Sequence, residues 1–186
     1  MSGCGFRVTG FVLALLLWAG ASAARAEDVI YSEGASRVRY SDGVETDVQI
    51  GQQLVAGDSV FTGHDGLVEM ERPGATIIIS PGTVFSIQEQ VLDGRRTDTL
   101  SVTLGALRAK LGTITGTEPR FRSPSAIAGV RGTELTVYAG ADGSSLIVVD
   151  EGAVTVTAAG RTVEVMPQQG VEVRPGEAPG ETFTVL

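Results

Sequence analysis

Few residues of this 186-residue chain are of types that do chemistry, and their spacing narrows the choice further. His64 is the only histidine, set between Gly63 and Asp65 in what reads as an exposed turn. A multi-histidine metal centre is therefore excluded. A Ser-His-Asp triad would have to use this one imidazole, and no serine sits in a nucleophile elbow. No Gly-rich loop leads into a helix, so no phosphate cradle is visible. Among the acids, Asp150-Glu151 abuts Gly152, and Glu134 follows a Gly-rich turn. Two carboxylates about 5 to 9 Å apart could hydrolyse a glycosidic bond, but adjacent acids before a glycine are expected to form a solvated turn. No acid-x-acid loop has the density that calcium needs. The expectation is a non-enzyme without cofactor or metal.

The cation with the strongest local case is Arg131, within Gly129-Val130-Arg131-Gly132-Thr133. The flanking glycines allow positive φ or a close backbone approach, so this stretch reads as a turn of specified geometry where loop becomes sheet. Two roles fit Arg131. Its guanidinium could be a buried fork tying turn to sheet, on backbone carbonyls or on Glu134 or Glu151, and this is the expected role. The alternative is contact with a partner's carboxylate.

The elements that must position these residues are short strands. From Gly51 onward β-prone runs begin roughly eight or nine residues apart, too close for intervening helices. Ser59 to Thr62, Leu67 to Met70, Thr76 to Ile79 and Thr83 to Ile87 alternate with breaks at Gly63–Gly66, Arg72–Gly74 and Ser80–Gly82. Leu100, Val102 and Leu104 alternate with hydroxyl residues, the period of a half-buried strand. Gly105 to Leu111 is expected to continue that strand across a glycine kink, Asp93 to Arg96 to form a hairpin tip, and 112–122 to be a long connection. Four further β-branched runs follow between Leu146 and Val173. The architecture expected is all-β: a single domain of many short strands in two layers, either a jelly-roll-like sandwich or a β-helical stacking. Residues 27–53 form a β-type lead-in, 54–175 the main domain, and 176–186, with two prolines among its residues and its approach, a loose tail.

Residues 1–26 resemble an export signal. Arg7 precedes an apolar run, and Ala24-Arg25-Ala26 presents small residues where a signal peptidase reads, so cleavage is expected after Ala26. The run is short for a membrane span, which needs roughly 20 residues; an uncleaved segment would instead make an anchor. Cleavage removes Cys4, the only cysteine, so disulfides cannot staple the mature chain despite an oxidising compartment. It also removes Arg7 and Arg25, taking the formal charge from −8 to −10, which argues against nucleic acid and anionic lipid as partners. No stable membrane insertion is expected after cleavage.

The motifs Gly57-Asp58-x-Val60-x-Thr62-Gly63, Ser123-Pro124, Gly129-Val130-Arg131-Gly132-Thr133 and Glu151-Gly152 follow one another in an order that resembles the FecR domain, a β-rich module of bacterial envelope proteins. The resemblance spans about Leu54 to Pro175. Ser123-Pro124 stands where that family often has Thr-Pro. In its best-known members the domain is periplasmic and belongs to a regulator relaying a signal from an outer-membrane receptor to a cytoplasmic sigma factor. Such a regulator needs a cytoplasmic segment and a membrane span, whereas seven residues precede the apolar run here. The resemblance therefore implies a stand-alone exported module, in the periplasm or secreted beyond it, that binds an envelope protein. The alternative is a module for cell-wall glycan, with Tyr31, Tyr40 or Tyr138 as the exposed rings on which sugars stack.

Overall fold

The computed structural model describes residues 26–92, 95–112 and 119–185; the export-type segment, Asp93-Gly94 of the expected hairpin tip and most of the 112–122 connection lie outside them. Fifteen strands make up the described chain, and no helix occurs among the described residues. In order they are β1 (Glu27–Glu33), β2 (Ser36–Arg39), β3 (Glu45–Asp47), β4 (Gln53–Leu54), β5 (Ser59–Thr62), β6 (Leu67–Arg72) and β7 (Ala75–Ile79). Then come β8 (Val84–Leu92), β9 (Arg95–Leu111), β10 (Arg120–Arg122), β11 (Ile127–Ala139), β12 (Ser145–Ala158), β13 (Arg161–Val165), β14 (Gln169–Val173) and β15 (Phe183–Thr184).

All fifteen belong to one hydrogen-bonded sheet that folds back on itself. One arm runs β15-β14-β12-β11-β9-β7-β6-β1-β4, using residues 145–149 of β12, 134–139 of β11 and 105–111 of β9. The other runs β13-β12-β11-β10-β9-β8-β5-β2-β3, using 154–158 of β12, 127–131 of β11 and the part of β9 before residue 105. Only β9 and β10 pair in parallel. A β-helical stacking needs parallel coils, so the sandwich is the architecture observed. The two arms bury one core, with Met70, Ile77, Leu107, Leu135 and Ile147 from the first and Phe85, Leu100, Phe121 and Val154 from the second. Each such side chain contributes roughly 1.5–3 kcal/mol.

Three long strands cross between the arms, and each changes the parity of its inward residues as it crosses. In β9 Leu100 and Val102 point inward, then Leu107, Ala109 and Leu111. In β11 Ala128 and Val130 give way to Thr133, Leu135 and Val137. In β12 Ile147 and Val149 give way to Val154 and Val156. A strand of period two can switch parity only by inserting a residue, and the insertion needs a backbone that bends sharply. Each crossing carries a glycine at positive φ: Gly105 (90°), Gly132 (57°) and Gly152 (79°).

The expected kink at Gly105 is therefore present. The breaks expected at Arg131-Gly132 and at Asp150-Glu151-Gly152 are corrected: both lie inside continuous strands, as bulges facing each other across the β11–β12 ladder. A positive-φ glycine reads as a turn in sequence, but strands pairing on both sides convert it into a bulge. Both ends join the sheet, and the expectation of a loose tail is corrected. The lead-in contributes β1 to the first arm and β2 to the second. The tail is docked, because Gly170 has no side chain and admits the Phe183 ring of β15, while Val185 N–H donates to Gln168 O at 2.8 Å.

Within the core lies an ionic cluster that the sequence did not announce. Arg72 Nη1 donates to Glu27 Oε1 at 3.0 Å and to Asp98 Oδ2 at 2.9 Å, with Arg72 only 6% and Glu27 only 1% exposed. Glu27 Oε2 is sealed without a partner. Burial pushes the Glu27 carboxyl above its ordinary value, against the pull of Arg72 and with the help of Asp98. The folded state thus binds this proton more tightly than the unfolded state. Glu27 favours folding at low pH, and that contribution fades as pH rises through its folded value.

Two outcomes follow. Gly152→Ala should cost about 2–3 kcal/mol in urea unfolding, since a Cβ there would stand 2.6 Å from Gly132 O, whereas Gly132→Ala, with open space around it, should cost about 1 kcal/mol. Arg72→Met should lose about 3–5 kcal/mol at neutral pH by stranding the buried Glu27 carboxylate. Stability curves against pH should show that deficit narrowing toward pH 4, as the folded variant takes up the proton.

Candidate functional site

The motif residues converge on two structural devices. The first is the turn before β5. Asp58, 2% exposed, accepts from Ser41 N–H at 3.0 Å and from Val55 N–H at 2.9 Å, which holds the chain as it enters the strand. Gly57, at φ 102°, leaves room for Ser41. Val60 is core. Thr62 Oγ1 donates to Ser80 O at 2.7 Å and accepts from Thr83 N–H at 2.8 Å, and Gly63 N–H donates to Ala35 O at 2.7 Å.

The second device is the paired bulge. Thr133, 1% exposed, accepts at Oγ1 from Arg131 N–H and donates from the same hydroxyl to Ala153 O, both at 3.2 Å. That hydroxyl spans the irregular stretch of the β11–β12 ladder. Val130 is core just before it. Gly129 lies against Thr155, whose Oγ1 donates to Gly129 O at 3.2 Å. Pro124 sits at the tip of the 123–126 turn joining β10 to β11, closed by Ser123 N–H to Ala126 O at 2.9 Å. Glu151 is exposed and stands opposite Glu134 in the ladder.

Arg131 differs from the expectation of a buried fork. It is exposed, and its guanidinium has no hydrogen bond or ion pair with Glu134 or Glu151. Glu134 is taken by other cations, through Arg108 Nη2 at 2.7 Å and Lys110 Nζ at 3.3 Å, and Arg108 also reaches Asp150 at 3.5 Å. The Arg108 hydrogen bond, with Lys110 behind it, holds the Glu134 carboxyl below its ordinary range, opposite to what a general acid requires. The bulge keeps Arg131 on the outer face while Thr133 and Leu135 turn inward, so it is the backbone of this motif that binds the fold together.

His64 is almost wholly exposed, 3.8 Å from Asp65. Among the described residues no three His, Cys, Asp or Glu side chains converge as metal ligands. No described helix is long and apolar enough to cross a membrane. Of the three tyrosines, Tyr40 is half-buried and bonded to Gln52, while Tyr31 and Tyr138 are exposed on the outer face of the first arm. Tyr138 lines an open groove of about 510 Å³ with Pro81, Leu146, Glu172 and Phe183.

Sequence reasoning missed three outward cations that the register brings together, Arg120 and Arg122 of β10 beside Arg131 of β11. Arginines at 120 and 122 alternate around Phe121, and that period-two signal could have revealed the short strand.

No protein-family model matches the chain, and no curated protein matches it. Its fold is similar to two crystal structures of a candidate anti-sigma factor from Parabacteroides distasonis ATCC 8503, each with TM-score 0.57 and 16% identity. Each likeness covers 68% of this chain and 59% of the other, so the shared part is little over half of that protein's length.

The geometry separates scaffold from surface within one motif. Arg131→Ala should leave thermal stability within about 0.5 kcal/mol of wild type. Thr133→Val, which removes the bulge hydrogen bonds, should cost about 1–3 kcal/mol by the same calorimetric measurement.

Proposed function

We propose that this chain is a non-catalytic, exported FecR-like module that binds a protein of the bacterial envelope and serves envelope signalling. The observation that carries the reading is the fold likeness to a candidate anti-sigma factor over 68% of the chain. It agrees in kind with the role that the motif order implies. The exposed Arg131 supports the same reading, because the bulge holds a cation on the surface without spending it on an internal pair. In this reading residues 1–26 direct export and are removed after Ala26, leaving a periplasmic protein. Retention of that segment would make it a membrane-anchored regulator instead.

A second reading, a glycan-binding module, draws on the groove between Tyr138 and Phe183. Their rings are 44% and 46% exposed and flank polar Glu172 and Ser144. Exposed aromatics are how sheet surfaces commonly hold sugar rings.

In-cell photocrosslinking separates the two. A benzoylphenylalanine is placed at Gln88, exposed on the second arm, or at Glu71, exposed on the first. The expected result is one envelope protein recovered with a chain whose first residue is Glu27. Glycan fragments recovered without protein would favour the second reading. An intact N-terminus would point to the anchored regulator.

A further inference from the structure

The outer face of the second arm has an unusual composition. Its ladder rows read Glu45–Arg39–Ser59–Ser86–Ser101–Arg122–Ile127–Thr157–Thr162 and Gln88–Thr99–Arg120–Gly129–Thr155–Glu164, because residues directly opposite in a ladder share a face. Hydroxyls and amides dominate, and the three cations stand close together. Arg120 and Arg122 are alternate residues of β10, roughly 6.8 Å apart along the strand. Arg131 lies diagonal to Arg120 on β11, at about 7–8 Å by the usual spacing of such neighbours.

None of the three guanidinium groups has an acidic partner among the described residues. The protein's formal charge is −8, so three adjacent unpaired cations are the exception on its surface. The same place contains two sealed polar atoms without partners, Arg122 Nε and Thr99 Oγ1. Thr99 is 1% exposed and stands opposite Arg120 in the β9–β10 ladder, while Ser101 stands opposite Arg122. A buried donor and a buried hydroxyl left unsatisfied cost about 1–3 kcal/mol each, a penalty that an arriving acceptor would relieve.

We propose that Arg120, Arg122 and Arg131, floored by Thr99 and Ser101, form the docking surface for an extended acidic segment of the protein partner. The proposal rests on the interaction reading above and adds the partner's chemistry. Guanidinium groups pair with carboxylates in fork geometry. The Arg120–Arg122 spacing equals that of side chains on one face of an extended peptide, so a segment with Asp or Glu at alternate positions presents its carboxylates in step with them. The acids on these rows are distant, Glu164 three strands from β10 and Glu45, paired with Arg39, five strands away, leaving the ground around β10 mostly to hydroxyls. The approach is long-range and salt-sensitive, since the Debye length falls to about 3 Å at 1 M salt.

The probe is a fluorescein-labelled alternating Glu-Thr decapeptide, titrated by anisotropy against the mature chain. The expected result is binding that is at least about tenfold weaker for Arg120→Gln/Arg122→Gln/Arg131→Gln. A control, Arg37→Gln/Arg161→Gln/Arg174→Gln, makes the same charge change at exposed sites elsewhere and should bind like wild type. If half-buried Arg122 proves necessary for folding, the double variant at the exposed Arg120 and Arg131 gives the same comparison. Equal losses in both triple variants would reduce the effect to net charge and overturn the proposal. So would failure of the wild type to bind the peptide, or tighter patch-dependent binding of an oligogalacturonate, which would make the occupant a glycan. Carrying the triple variant into the crosslinking strain keeps the two levels apart. A crosslinked envelope protein that survives the substitutions removes the patch and leaves the interaction reading, whereas no crosslinked protein even from the wild-type chain removes the reading itself.

Discussion

The conformation of three glycines governs this fold. β9, β11 and β12 are each long enough to serve both arms, but a strand with its apolar residues in one phase can face only one core surface. Gly105, Gly132 and Gly152 insert the extra residue that resets the phase, each at a φ that residues with a side chain rarely adopt. The sheet thereby remains one hydrogen-bonded surface while enclosing a core between its own arms. Around two of them the packing is specific. Thr83 occupies the space a side chain at Gly105 would need, and Gly132 O with Thr133 occupies that of Gly152. At the β11–β12 bulge the Thr133 hydroxyl supplies bonds where the register shifts.

This explains why a motif can look functional and yet hold two roles. Gly129 to Thr133 and Glu151-Gly152 are distant in sequence and opposite in the ladder, two sides of one bulge. Their glycines and threonine serve the backbone. Arg131 is left on the surface by the same geometry, so the bulge presents a side chain that the core does not require.

Charge is divided in a comparable way. Arg72 lies in the core between Glu27 and Asp98, where desolvation outweighs attraction at Glu27. On the outer face of the first arm, Arg108 and Lys110 converge on Glu134. On the second arm's outer face Arg39 pairs with Glu45 near one edge, whereas around β10 the cations Arg120, Arg122 and Arg131 stand among hydroxyls. Such a region gives an acidic protein an electrostatically distinct side.

Much of the local structure was legible in the residues themselves. The apolar runs at Thr76 to Ile79 and Leu146 to Val149, and the alternation at Leu100 to Leu104, foretold strands because period-two burial is written residue by residue. The kink at Gly105 was legible too, since a run so short between two glycines suits a continued strand better than a helix. Gly132 and Gly152 were misread because positive φ is a local property, whereas whether it makes a turn or a bulge depends on what pairs alongside. The buried pairing of Arg72 with Glu27 and Asp98 joins residues 45 and 26 positions apart, with no local signal. By itself, then, the sequence determined the all-β class, most of the strand positions and the glycines at which the backbone must bend. Tertiary structure alone decided which bends are corners, which charges are buried, and that Arg120, Arg122 and Arg131 share a face. Those outcomes depend on ladder register between distant segments, and register is set by the whole core at once.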